Sequence, residues 1–134
     1  PDDPCPPHST TATAARTDGV EYVEFEPLGP AKLAELFARM GYVAVAQHRT
    51  KDITVWRQGD INYVVNAEPG SHAMKFVDKH GPCAASMAWR VVDAKHAFDH
   101  AVSKGATPYE GTDKSLDVPA IVGSLDIVMG EIDR

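Results

Sequence analysis

The sequence predicts an α+β fold of two βαβββ-type modules, the second one short, forming a curved mixed sheet with the helices on its outer face. Short segments that alternate between apolar and polar residues are separated by segments in which apolar residues recur every three or four positions. One strand, one helix and further strands follow in that order, twice. Gly41 and Gly105, like Tyr22 and Ser86, lie 64 positions apart (105 − 41 and 86 − 22), which indicates a weak internal repeat.

The chain divides into three predicted parts. Residues 1–18 are rich in Pro, Ser, Thr and Ala and have few large apolar side chains, so we expect a flexible arm or linker. Residues 19–81 form the first βαβββ module. Residues 82–134 form the second, abbreviated module, which we expect to be short by about one strand. A chain of 134 residues can bury a sufficient core without a metal or a disulfide.

In the first module, residues 20–26 and 42–48 are predicted strands. The helix between them begins at Pro30 and ends at Gly41, a residue that readily adopts the left-handed conformation. Its apolar residues follow the i, i+3, i+4, i+7 spacing and are Leu33, Leu36, Phe37 and Met40. The stretch from Asp52 to Ser71 predicts a β-hairpin, because two alternating runs flank a turn centred on Gly59.

The second module is predicted from the same signals. Ser71 is a suitable N-cap for a short helix that ends before Gly81, and this helix leads to a strand over residues 85–92. Asp93 can cap the next helix, which ends before Gly105. Residues 109–115 are a predicted loop or edge strand, residues 119–122 are ambiguous, and residues 124–132 predict one strand.

Composition excludes several classes of function. The net charge of −6, with both signs mixed along the chain, argues against a surface that follows nucleic-acid phosphates. No apolar run reaches the roughly 18 residues that a membrane span requires. The chain has only two cysteines, Cys5 and Cys83, which favours a reduced, cytoplasmic setting. We therefore expect a small molecule or another protein as the partner.

A polar set on one face of the predicted sheet is the candidate site. If the large apolar residues of the two first strands pack beneath the helices, the residues between them face the concave side. This set comprises Tyr22, Glu24, Ser86 and Arg90, joined by Asn62 and Asn66 of the hairpin; His48 and Trp56 complete the candidate ligand-binding residues. We expect Glu24 or Glu26 to pair with Arg90. The favoured interpretation is that these groups satisfy one another and hold the modules in register, and the other is ligand binding.

The remaining reactive residue types favour structural roles. His96 and His100 have the i, i+4 spacing of a zinc site, but the apolar stripe of their helix turns both toward solvent. His72 and His80 are expected at the surface, and His48 is expected to make a loop contact rather than to catalyse. Cys83 is expected to be a buried or half-buried structural thiol, and no catalytic nucleophile motif is present.

Specific runs of residues resemble a known family. VEYVEFEP, RQGDINYVVNAEP, HGP and MAWRVVDA resemble the amino-terminal domain of 4-hydroxyphenylpyruvate dioxygenase, a member of the vicinal oxygen chelate superfamily of paired βαβββ modules. The resemblance covers roughly residues 20–121. It implies that Fe(II) is held by two histidines and a glutamate in a carboxyl-terminal domain that we do not find in this chain. Tyr22 and Ser86 take the ligand positions of the superfamily's metal-binding modules, so we expect no metal and no cofactor in this chain.

The resemblance leaves three functions open. The first is a non-catalytic domain that supports a catalytic partner domain, fused or associated, or forms a homo-oligomer through an exposed strand edge. A similar domain is also fused behind a barrel in some 3-dehydroshikimate dehydratases. The second is a metal-free protein that binds a small aromatic or hydroxy acid or a drug. The third is a glyoxalase- or dioxygenase-type metalloenzyme with a site between subunits.

Overall fold

The eight described strands form one mixed sheet, and three helices pack against it. The computed structural model describes residues 17–26, 29–111, 118–123 and 128–133. The elements, in chain order, are β1 (Thr17–Phe25), α1 (Pro30–Arg39), β2 (Val43–Gln47), β3 (Ile53–Gln58), β4 (Ile61–Asn66), α2 (His72–His80), β5 (Ala84–Val91), α3 (Ala94–Ser103), β6 (Thr107–Pro108), β7 (Ala120–Val122) and β8 (Val128–Asp133). No helix within these ranges is long and apolar enough to cross a membrane.

The strand order reproduces the internal repeat. The order across the sheet is β2-β3-β4-β1-β5-β8-β7-β6, so each half contains one module. β1 and β5 pair antiparallel at the centre, while β1 pairs parallel with β4 and β5 pairs parallel with β8. Val23 lies opposite Met87, its own counterpart in the repeat, so the pseudo-two-fold axis that relates the modules passes through this pair. The predicted α+β fold of two βαβββ modules is confirmed.

The second module is abbreviated in strand length and not in strand number. β6 has two residues and β7 has three, and they pair with each other before β7 joins β8. The expectation that this module lacks about one strand is therefore wrong. Strands of two or three residues are too short to show alternation, which explains why the sequence pattern did not reveal them. Of the strand predicted over residues 124–132, residues 124–127 lie outside the described ranges.

The first strand begins earlier than predicted. β1 starts at Thr17, so residues 17 and 18, which we assigned to the arm, belong to the sheet. Residues 1–16 of the predicted arm lie outside the described part of the chain. The division at residue 81 between the modules stays a prediction, although the strand order is consistent with it.

The predicted helix ends and caps are present. The side chain of Ser71 accepts a hydrogen bond from the backbone N–H of Met74 at 3.2 Å, and that of Asp93 accepts from the N–H of His96 at 2.9 Å. Each bond satisfies one of the backbone donors that the first turn of a helix leaves without a partner. Gly41, just beyond α1, has φ of 93°. Local sequence therefore determines where these helices start and stop.

The helices cover one face of the sheet. Beneath α1, Phe37 packs with Tyr42 and Val65, and Phe25, Leu33, Trp56 and Tyr63 pack around them. Four aromatic rings lie with centroids between 5.0 and 6.0 Å from that of Phe37, close enough for favourable edge and tilted contacts. Beneath α3, Ala94 and Ala97 pack on Val91 and Trp89, and α2 packs through Ala73 and Phe76 on Ala85. The other face of the sheet bears none of these helices.

The repeat supplies a matched pair of glycine substitutions. We expect Gly41→Ala and Gly105→Ala each to lower the free energy of unfolding by about 1 kcal/mol, because φ is 93° and 102° and a left-handed alanine is strained. A Cβ at Gly41 would also lie 2.7 Å from Nε2 of Gln58, which donates to the carbonyl of Met40. Gly41→Ala should therefore lower the free energy of unfolding by up to roughly 1 kcal/mol more than Gly105→Ala, where nothing lies within 4 Å of the added Cβ. Urea unfolding of both variants measures the difference. Equal losses would mean that the contact with Gln58 has no effect on stability.

Candidate functional site

The face without helices carries most of the predicted polar set. Tyr22 and Glu24 of β1 share this face with Ser86 and Arg90 of β5, since residues two apart in a strand point the same way. In the hairpin, Asn66 lies opposite Ile53, Val64 opposite Val55, and Asn62 opposite Arg57. We call this the concave face. The alternation in the sequence therefore predicted the sidedness of these residues correctly.

A buried carboxylate lies at the centre of the concave face. Glu24 is only 3% exposed, and its Oε1 accepts a hydrogen bond from Nδ2 of Asn66 at 2.7 Å. Its Oε2 accepts from the hydroxyl of Ser86. Asn66 is 1% exposed, and its Oδ1 accepts from the backbone N–H of Glu68 at 3.0 Å. These three side chains, the Glu24 cluster, connect β4, β1 and β5 and therefore join the two modules.

The Glu24 cluster leaves little polar capacity for a ligand. A carboxylate buried in protein is stable only if donors replace its lost water. An amide and a hydroxyl do so here, and the asparagine's own oxygen is used by the backbone. The arrangement is that of a polar tie between modules, which was the favoured interpretation of the sequence. That the residues of the Glu24 cluster contact a ligand stays a prediction.

Tyr22 belongs to an apolar cluster beside the buried carboxylate. It is 7% exposed and packs with Ile53, Val64 and Ala88, with Val55 at the edge. These residues come from β1, β3, β4 and β5, so the concave face has a small core of its own. The ring of Tyr22 is part of that core and does not project into open space.

Arg90 pairs with a residue that the sequence did not indicate. Its Nε lies 2.6 Å from Oε2 of Glu21, so the expected pair with Glu24 or Glu26 is wrong. The cause is a register shift in β1: Val20 lies opposite Trp89 and Tyr22 opposite Ala88, which leaves Glu21 as the extra residue of a bulge. A bulge re-aims the side chain of its extra residue, here toward Arg90. Strict alternation places Glu21 on the helix face, and no signal in the sequence marks the bulge.

Asn62 belongs to the same end of the concave face as this ion pair. Its Nδ2 donates to the carbonyl of Glu21 at 3.0 Å, and its Oδ1 accepts from Nε of Arg57 at 2.7 Å. The two asparagines therefore make different contacts. Asn66 donates to Glu24 in the Glu24 cluster, and Asn62 donates to the backbone of the bulge at Glu21. Neither makes a contact with the other among the described hydrogen bonds.

Two predicted candidates lie away from the concave set. Trp56 pairs with Tyr63 on the opposite side of the sheet and packs against Phe37 of α1, with centroids 6.0 Å apart. Its grouping with the asparagines is wrong, because the hairpin register places it on the helix face. His48 lies in the turn between β2 and β3, where Nδ1 accepts from the N–H groups of Thr50 and Lys51, both at 3.2 Å. His48 thus makes the predicted loop contact.

The other histidines and Cys83 are exposed, half-buried or hydrogen-bonded to nearby groups of the fold. His96 is exposed on α3 as predicted, whereas His100, expected to face solvent as well, is half-buried. His72 is not a simple surface residue, since Nε2 lies 3.3 Å from the carbonyl of Ala85 and Nδ1 lies 3.3 Å from the hydroxyl of Tyr109. That contact spans 37 positions of sequence, so no local pattern could have indicated it. Cys83 is half-buried, as expected, and its thiol donates to the carbonyl of Gly81 at 3.0 Å.

Glu26 has a carboxyl group in an environment that disfavours its charge. Burial, and secondarily the nearby carboxylate of Asp78 on α2, raise the pKa of Glu26 above its usual value of 4.5. A carboxyl whose pKa is raised by folding stabilises the native state while protonated and loses that contribution as pH rises through the folded pKa. We expect Glu26→Gln to raise the free energy of unfolding relative to the unmodified chain near pH 7. The gain should shrink as pH falls and vanish below about pH 4; urea unfolding across pH 3.5–8 measures it, and a gain that grows toward acid pH would contradict the sign.

The concave face does not fit the metal site of the superfamily's metal-binding modules. Tyr22 and Ser86 occupy the two positions that hold ligands in those modules. Tyr22 is buried in apolar surroundings, and the hydroxyl of Ser86 donates a hydrogen bond to Glu24. No imidazole of the described residues contacts this carboxylate in the hydrogen bonds above. Within the described ranges, no group of three or more His, Cys, Asp or Glu side chains is arranged to hold a metal ion. A neutral hydroxyl and a buried phenol are poor substitutes for the imidazoles that Fe(II) or Zn(II) prefer.

Known proteins with curated functions resemble the chain over most of its length. It is 42% identical over 123 residues to "Hemolysin VllY" of Vibrio vulnificus, covering 88% of the chain and 34% of that protein. It is 40% identical over 118 residues to a 4-hydroxyphenylpyruvate dioxygenase of Pseudomonas sp., covering 87% and 33%. A 3-dehydroshikimate dehydratase of Pseudomonas aeruginosa is 40% identical over 113 residues, with 81% and 18% covered. The chain thus spans about a third or less of the length of these relatives.

Solved structures show the same fold. A fusion protein of a xylose isomerase-like TIM barrel and a 4-hydroxyphenylpyruvate dioxygenase superposes with a TM-score of 0.83 at 33% identity, over 90% of the chain and 20% of that protein. Methylmalonyl-CoA epimerase from Mycobacterium tuberculosis shares the fold alone, with a TM-score of 0.66 at 18% identity and 90% of each chain covered. The family model described as hydroxyphenylpyruvate dioxygenase, N-terminal, matches residues 12–134. The chain belongs to the family of amino-terminal domains of 4-hydroxyphenylpyruvate dioxygenase, within the vicinal oxygen chelate superfamily.

Proposed function

We propose that this chain is the non-catalytic, amino-terminal domain of a larger protein and that it supports a catalytic partner domain. The Glu24 cluster carries this proposal, because the polar groups at the centre of the concave face are committed to one another and tie the two modules together. The length of the relatives supports it too, since the chain spans 33% of the Pseudomonas dioxygenase. By analogy with that relative, we propose that the whole protein acts on an aromatic acid; the low cysteine content favours the cytoplasm.

The edge of the sheet at β2 is where we place the partner. β2 is the outer strand of the first module, and all five of its residues are exposed. Four residues in or shortly before β2 have large apolar side chains that are 47–63% exposed: Leu36, Met40, Val43 and Val45. An exposed apolar edge strand invites pairing and is normally covered. A catalytic domain, fused or associated, or a second copy of the chain would cover it.

The absence of catalysis is tested on the purified chain itself. We expect less than stoichiometric Fe and Zn by plasma mass spectrometry after loading with each metal and desalting. We also expect no oxygen uptake on 4-hydroxyphenylpyruvate in the presence of Fe(II) and ascorbate. Stoichiometric iron together with turnover would overturn the proposal. Repeating the assay at high protein concentration covers the alternative of a metalloenzyme with a site between subunits.

The supporting role is tested through the β2 edge. We expect Val43→Glu to weaken association of the chain with the remainder of its encoded protein, co-expressed as a separate polypeptide, by about tenfold or more. The reason is that the carboxylate would be desolvated in the contact. Val92→Glu is the matched control, because Val92 is 74% exposed at the end of β5, far from β2 in the strand order. Sedimentation velocity measures the association of both variants. Equal effects of the two substitutions would argue against the β2 edge as the contact surface.

A metal-free protein that binds a small aromatic or hydroxy acid at the concave face is the second candidate function. One observation favours it: a cavity of about 170 Å³ lies beside Asn66, Ile53 and Ser71. This volume is below the roughly 300 Å³ at which small-molecule sites begin, so we rank it second. Thermal shifts with 4-hydroxyphenylpyruvate, 4-hydroxyphenylacetate and dehydroshikimate test it. A saturable rise in melting temperature that Asn66→Ala abolishes would favour binding over the supporting role.

A further inference from the structure

A larger cavity lies on the helix-bearing side of the sheet, away from the Glu24 cluster. Its volume is about 380 Å³, within the usual range of small-molecule sites. It lies between the end of β1, α1 and the turn that precedes β5. The walls are mainly apolar and come from Phe25, Leu33, Leu36, Pro82 and Cys83. Leu36 is 49% exposed, so the described part of the chain leaves apolar surface on this wall for a ligand to cover.

One polar group in this cavity is unsatisfied. Glu26 lines the wall, and its Oε2 is buried without a hydrogen-bond partner within the described part of the chain. A buried acceptor that has lost water and gained no donor is a source of free energy for any ligand that supplies one. The native environment of Glu26 adds to this, because Asp78 of α2 repels its charge. Both effects are relieved by a cationic hydrogen-bond donor.

We propose that this cavity binds a small molecule that carries a primary ammonium group on an apolar body. The carboxylate of Glu26 turns so that its buried Oε2 accepts from the ammonium, and the apolar body lies against Phe25, Leu33 and Leu36. A charged donor on a carboxylate forms a hydrogen bond about twice as strong as one between neutral groups. The apolar walls select against small hydrated cations, which would lose water without gaining contacts. The inference does not depend on the proposed supporting function, since its charged contact, Glu26, belongs to neither the concave face nor the β2 edge; Leu36 is the one residue named in both.

Lys32 distinguishes two sources of the same ligand chemistry. It is exposed on the first turns of α1 and lines the same cavity. Toward a simple amine its charge is repulsive, whereas it can pair with the carboxylate of an amino acid whose ammonium group reaches Glu26. A hydrophobic amine and a hydrophobic amino acid should therefore respond in opposite directions when Lys32 is neutralised.

The thiol of Cys83 reports occupancy of the cavity. In a Cys5→Ser background it is the only thiol, because the chain has two cysteines. We expect 2-phenylethylamine to slow the alkylation of Cys83 by iodoacetamide in a saturable way, with a matching isotherm in calorimetry. The neutral analogue 2-phenylethanol should bind at least tenfold more weakly. Protection by the alcohol equal to that by the amine, or no protection by the amine at millimolar concentration, would overturn the proposal.

Substitutions identify the two charged contacts. Glu26→Gln should weaken 2-phenylethylamine by tenfold or more and leave 2-phenylethanol unchanged. Lys32→Gln should not weaken the amine, but should weaken L-phenylalanine if the amino acid binds. An amine that binds equally well to Glu26→Gln would place the ammonium elsewhere and refute the assignment. If Glu26→Gln fails to fold, the comparison of amine with alcohol on the Cys5→Ser chain still decides.

Discussion

Asn66→Asp is expected to lower the free energy of unfolding by roughly 3–4 kcal/mol at pH 7, the usual cost of leaving a buried charge without its partner. The substitution is nearly isosteric, but it replaces the amide that donates to Glu24 at 2.7 Å with a second acceptor. Two carboxylates cannot both remain charged at this separation, and both positions are at most 3% exposed. One carboxyl must therefore take up a proton when the chain folds.

The pH dependence has a definite sign. A carboxyl whose pKa is raised by folding is least harmful below its unfolded pKa, so the loss should shrink as pH falls from 7 toward 4. Glu24→Gln in the same chain is the matched control, because it restores one donor and one acceptor to the pair. The double variant should recover more than half of the lost stability. Urea unfolding at pH 4.5 and 7 measures all three variants, and an Asn66→Asp chain as stable as the parent at pH 7 would show that the cluster is not a structural tie.

Phe37→Ala is expected to lower the free energy of unfolding by about 3–5 kcal/mol, the usual cost of truncating a buried aromatic side chain. Phe37 is 4% exposed and anchors α1 to the sheet through the rings of Phe25, Trp56 and Tyr63. Its removal leaves a cavity that these rings can fill only in part. The largest local effect should be on α1 itself, since Phe37 is the one residue of α1 that is fully buried within the described side chains.

Leu36→Ala provides the matched control on the same helix. Leu36 is adjacent in sequence but 49% exposed, so we expect a loss of at most about 1 kcal/mol. Both variants keep a good helix former at the substituted position, so helix propensity does not explain the difference between them. Urea unfolding followed by circular dichroism, with hydrogen exchange on α1, compares the two. Equal losses would mean that α1 does not pack as described.

The sequence predicted the face of each concave residue but not its partner. Alternation placed Tyr22, Glu24 and Ser86 on one side of the sheet, because side chains in a strand have a period of two. Hydrogen bonding depends instead on which residue of a neighbouring strand lies opposite, and that depends on register. A single extra residue at Glu21 brought a different carboxylate to Arg90. Trp56 was misplaced for the same kind of reason, since the hairpin pairs it with Tyr63 beneath α1.

The amino-acid sequence by itself determined the α+β class, the paired modules, the helix ends at Ser71, Asp93 and Gly41, and the family. These depend on local signals, namely periodicity, caps and turn residues, together with specific runs of residues. Only the tertiary structure decided the strand order, the burial of Glu24 between Asn66 and Ser86, and the cavity at Glu26. Each of these brings together groups that are far apart in the chain. Such arrangements are set by the packing of the whole sheet, which no local pattern contains.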